Sequence, residues 1–151
     1  MLLSVQSCTV GDYYVTREGD KKTSVSTLYS DESIVITLYH FGGRISRLPI
    51  LNLKKSEGIE IKILEVEHNI LIDGVVVEPL SISGYEQGTL NFSGESSVYI
   101  SSKTYELDGH PEVLIETINI SLLVENTQIN ISKEFLLERV TYNYFQAMQG
   151  I

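Results

Sequence analysis

The chain has 151 residues, a formal net charge of −9 and a single cysteine. That length suits one domain with a sizeable core, and the ordinary apolar share argues against disorder. One cysteine, Cys8, excludes an internal disulfide framework, and the acidic balance disfavours direct binding of nucleic acid.

Residues 1–56 hold seven Lys/Arg against five Asp/Glu, a net of +2. Residues 57–125 hold two against thirteen, a net of −11, and the last 26 residues balance. The first eight residues have no basic start and too few apolar positions for a secretory signal. No run approaches the length of a membrane span. With one cysteine, these features set the expectation of a cytoplasmic protein.

Met1 to Val10 alternates loosely and reads as a first strand, broken by Gly11-Asp12. Tyr13 to Thr16 is a short second strand, and Arg17 to Lys22 a polar hairpin connection around Gly19. Thr23 to Tyr29 follows as a strand, then a turn at Ser30 to Ser33. Ile34 to Phe41 is apolar at nearly every position, which predicts a strand covered on both faces. Gly42-Gly43 leads into a basic stretch with Arg44, Arg47, Lys54 and Lys55, a loop or a strand interrupted at Pro49.

Gly58 to Pro79 carries the longest strand signal. Ile59, Ile61 and Ile63 alternate with Glu60 and Lys62, then the phase slips at Ile63-Leu64. One extra residue in a regular alternation predicts a β-bulge. Beyond it, Glu65 and Glu67 face one side and Leu64, Val66 and His68 the other. Asp73-Gly74 between Ile70-Leu71-Ile72 and Val75-Val76-Val77 predicts a type I′ hairpin.

Leu80 to Phe92 is turn-rich. Val98 to Leu107 then reads as a strand, with Tyr105 and Leu107 on its dry side. Asp108-Gly109 is another turn. Val113 to Val124 is a long strand with Ile118, Ile120, Leu122 and Val124 inward; Glu125-Asn126 turns, and Thr127 to Ile131 returns. Ser132 suits an N-cap. Leu136, Val140, Tyr144, Ala147, Met148 and Ile151 then form one helical stripe, predicting a C-terminal helix over about 133–149. A final strand through Val140 to Phe145 is the rival reading. The whole reads as a single β-rich domain, 1–151: mainly β, an antiparallel β-sandwich or barrel-like roll with one C-terminal α-helix.

Catalytic patterns are sparse. No phosphate-binding glycine motif or paired-cysteine metal site occurs, so no cofactor and no metal are expected. His40, His68 and His110 are scattered, and a solvated or core-edge role for each outweighs that of a ligand. Asp108, His110 and Glu112 cluster without a nucleophile. Cys8 reads as a small core residue. The tyrosine pairs Tyr13-Tyr14 and Tyr142/Tyr144 fit either a contact patch or ordinary packing.

Charge therefore carries the functional expectation. The chain reads as a non-enzymatic acidic binding protein, an inhibitor or immunity-type partner of a basic, nucleic-acid-processing protein. Its contact residues would be Glu57, Glu60, Glu65, Glu67, Glu106, Asp108, Glu112 and Glu116. A second contact would use Arg44, Arg47, Lys54 and Lys55. The alternative is a self-assembling structural β module of a viral or multi-protein particle, a homo-oligomer joining the basic stretch of one copy to the acidic stretch of the next. A third reading, a ligand-binding barrel or sandwich, requires a sizeable apolar pocket. Neither nucleic acid nor membrane is an expected partner.

Overall fold

The computed structural model describes residues 9–40, 50–79, 81–82, 88–89, 97–101, 103–105, 107, 109 and 111–143. Within them the chain is mainly β, and every strand pairing is antiparallel. The strands are β1 (Thr9–Glu18), β2 (Lys21–Thr23), β3 (Val25–Ser30), β4 (Ile34–Tyr39), β5 (Ile50–Lys55), β6 (Ile61–Ile72) and β7 (Val75–Val76). They continue as β8 (Ser81–Ile82), β9 (Gly88–Thr89), β10 (Ser97–Ser101), β11 (Lys103–Thr104), β12 (Val113–Val124) and β13 (Thr127–Asn143).

The larger sheet runs β2-β1-β13-β12-β6-β7, with β9 also on β6. A four-stranded sheet runs β10-β5-β4-β3, and β8 pairs with β11. Alternation along the strands explains how the two main sheets meet. Ile34, Ile36 and Leu38 of β4 and Leu53 of β5 share one core with Ile61 and Ile63 of β6, Ile118, Ile120 and Leu122 of β12 and Ile131 of β13. Each such side chain removed from water contributes about 1.5–3 kcal/mol. A second cluster gathers Tyr14, Ile70, Tyr105, Leu107, Leu114 and Leu137. Phe135 packs against both.

The β6 bulge falls where the phase slip places it. Ile63 pairs with Leu122 and Glu65 with Ser121, leaving Leu64 as the extra residue. The hairpin after it is also as expected: Ile72 pairs with Val75, and Asp73 and Gly74 carry φ of 52° and 78°.

Three expectations are corrected. Residues 133–143 of the expected helix are strand, and 144–149 lie outside the described residues. Local helical spacing loses to pairing: Val113 and Val15 both pair with Glu138, so β13 is held from two sides. Gly11-Asp12 does not break the first strand; β1 passes through it with a register shift between Thr9 and Gly11. β4 is not covered on both faces, since Val35 and Thr37 are half-buried and Tyr39 is 39% exposed.

Candidate functional site

Two features stand out: a polar cluster inside the core and the outer face of the larger sheet.

The inner cluster centres on Glu116, which β12 points inward between Leu114 and Ile118. Its carboxylate is fully buried. Oε2 lies 2.5 Å from His40 Nδ1 and Oε1 2.8 Å from His68 Nε2. His40 follows β4, and its backbone N–H donates to the Ser24 carbonyl. Its Nε2 is 2.8 Å from Ser26 Oγ on β3. The Phe135 ring, directly across the ladder from Glu116, meets the His40 ring edge-on at 4.7 Å. Tyr105 donates its hydroxyl to the His68 carbonyl. The cluster thus joins the two main sheets where the two apolar clusters meet.

Burial alone would push the Glu116 carboxyl up. Hydrogen bonds from His40 and then His68, with the attraction of both rings, outweigh it and hold the group below its ordinary value. An ionised carboxylate only accepts, so His40 donates through Nδ1 and His68 through Nε2. The other ring nitrogen of His40, Nε2, shares a hydrogen bond with the Ser26 hydroxyl. The connectivity Ser26–His40–Glu116 is that of an acyl-transfer triad. Its setting is not: Ser26 is 2% exposed, on strand β3, with its side chain turned into the core. A depression of about 240 Å3 opens on the opposite face of the larger sheet, lined by Glu65, Asn119, Ser121, Asn130 and Ser132 among others. Among the described residues no group of His, Cys, Asp and Glu is arranged to hold a metal ion.

On the outer face, cross-strand register places residues in rows. Glu65, Ser121 and Asn130 form one, and Glu67, Asn119 and Ser132 the next. Asn69, Thr117 and Glu134 follow, then Val76, Leu71, Ile115 and Leu136. The first rows are laced by side-chain hydrogen bonds: Gln128 and Ser121 donate to Asn130, Ser132 donates to Asn119, and Asn119 and Asn69 donate to Glu67. The last row is apolar, with Leu136 56% and Val76 49% exposed, and Val113 beside it is 46% exposed. Past it, Arg17 and Lys22 pair with Glu138, whose carboxyl the Arg17 hydrogen bond holds down.

The six of the eight acidic positions that lie among the described residues do not form one exposed face. Glu65 and Glu67 are exposed neighbours on the outer face. Glu57 and Glu60 are exposed near the start of β6, where the Glu60 N–H donates to Glu125. Glu112 is exposed and pairs with Arg139. Glu106 and Asp108 lie outside the described residues. Glu116 leaves the contact set, because its carboxylate has no exposure to offer a partner. Of the basic stretch, Lys54 is exposed and Lys55 donates to the Ile59 carbonyl, while Arg44 and Arg47 lie outside the described residues. So do Cys8, His110 and Tyr144. Tyr14 of the first tyrosine pair is buried and donates to the Pro111 carbonyl.

The spacing signal missed Glu134 and Leu136, because a helix was expected there. Read as a strand, Glu134-Phe135-Leu136 shows Leu136 on the wet side beside Glu134. It also missed the meeting of His40 and His68, which depends on partners 76 and 48 residues away.

No family model, curated protein or solved structure matches the chain. Among the described residues no helix is long and apolar enough to cross a membrane.

Proposed function

We propose that this is a non-catalytic acidic binding protein that captures a basic protein on the outer face of its larger sheet, as an inhibitor or immunity-type partner does. The observation that carries the reading is that one face of the larger sheet holds exposed Glu65 and Glu67 and, two rows beyond Glu67, an apolar row in which Leu136 and Val76 are exposed. Carboxylates steer and orient a positively charged partner, and apolar contacts hold it. We read the shared core of the two main sheets as a β-sandwich that keeps this face rigid. A cytoplasmic setting fits the single cysteine.

The sealed Ser26–His40–Glu116–His68 cluster takes a structural part in this reading: it ties the sheets in one register. The test is affinity capture from the native host with the wild type and the E65K/E67K double variant. The wild type should retain a basic protein that rising salt releases, and the variant should lose it. Equal retention by both overturns the proposal.

A second reading, self-assembly, draws on the same apolar row, since exposed apolar patches also serve contacts between copies. Light scattering across salt concentrations separates the two; a monomer throughout counts against self-assembly.

A further inference from the structure

We propose that the occupant of the outer face is a basic amphipathic helix of the partner, lying across the strands over Val76, Leu71, Ile115 and Leu136. This rests on the binding reading above and names the shape and chemistry it requires.

The row crosses four adjacent strands, β7, β6, β12 and β13. Three steps of about 4.8 Å make it about 14 Å long. Val113 on the next row widens it at β12. Apolar residues at i, i+3 or i+4, and i+7 of a helix span about 10 Å. One helical stripe therefore fits the row. A docking segment loses water from its own backbone, and along the row from Leu71 to Leu136 only the sheet's face is offered, the edge lying beyond at β7. Ile115 lies between Leu71 and Leu136 in the ladder, so no strand can be added at the row's centre. A helix satisfies its own backbone and needs only side-chain contacts from the sheet.

Charge sets the orientation. On one side of the row stands Glu134, two residues from Leu136 and about 7 Å away, with Glu67 a row further. On the other side, Glu138 is already matched by Arg17 and Lys22. Glu134 and Glu67, which form no ion pair among the described residues, thus lie along one flank, and a helix with Lys or Arg on that flank complements them; the exposed Asp73 of the turn stands on the other. The same carboxylates repel anionic lipid and nucleic acid.

The test uses the full chain and a synthetic 18-residue peptide with a leucine stripe at helical spacing and lysines along one flank. Its control has the same composition with the stripe scrambled. Fluorescence anisotropy should show the striped peptide binding at least about tenfold more tightly than the control, with circular dichroism showing helix gained on binding. L136N, at an exposed position, should keep the native spectrum and weaken binding about tenfold. E134K should weaken it and reduce its salt dependence. Equal binding of the scrambled peptide, or full binding by L136N, overturns the helix. A dimer in light scattering that L136N abolishes assigns the row to a second copy and also overturns it. If the striped peptide fails while E65K/E67K still releases the host partner, this inference falls and the binding reading stands. If E65K/E67K retains that partner, the binding reading falls.

Discussion

His40 Nδ1 lies 2.5 Å from Glu116 Oε2, and this contact bridges the two main sheets inside the core. A buried carboxylate of this kind is tolerated only while both oxygens accept hydrogen bonds. Removing one partner leaves the other's polar group stranded in an apolar setting.

Glu116→Ala should therefore destabilise the protein by about 3–5 kcal/mol, read from urea unfolding at neutral pH. His68→Leu should also destabilise it, because Oε1 of the buried carboxylate is left without its donor. A loss under about 1 kcal/mol in Glu116→Ala would mean the cluster contributes little to stability.

Acid should weaken the fold through the same group. The Glu116 carboxyl sits below its ordinary value of 4.5 in the native state, although burial opposes this, because His40 and His68 donate to it. Its contribution is then fully present above the unfolded value and is lost as pH falls through the folded one. Unfolding midpoints measured from pH 7 downward should fall steeply below about pH 4.5. In Glu116→Gln that part of the slope should vanish, whatever the change in overall stability.

Ser26 should be inert. A fluorophosphonate probe should leave the native protein unlabelled by mass spectrometry, since the hydroxyl is sealed between the sheets. Labelling at Ser26 would overturn the non-catalytic reading.

The β6–β7 turn offers a backbone test. Gly74 has φ of 78°, with open space where a Cβ would sit. Gly74→Val would meet no clash, yet a branched residue resists that conformation by about 1–2 kcal/mol. The thermal midpoint should drop accordingly, while Gly74→Asn should lose less.

Much of the fold was legible because it is written in neighbouring residues. The Leu64 bulge, the Asp73-Gly74 turn and the inward set from Ile118 to Val124 each follow from a period of two and local turn chemistry. The C-terminal segment was not, because Leu136, Val140 and Tyr144 satisfy a helical spacing while the actual partners, β12 and β1, are set by the rest of the chain. The site was half legible. Glu65 and Glu67 could be placed on one face from alternation. Glu116 looked like any other carboxylate, since nothing near it in sequence announces that two distant imidazoles will neutralise its burial.

Leu64 has a consequence for how this chain can change in length. The residues on either side of it keep their orientation only because it occupies no rung of its own. Deleting Leu64 would straighten β6 and leave every neighbour facing as before. Deleting Val66 instead would consume that slack and turn Glu65 inward, so the strand can lose a residue at one place and not at the next.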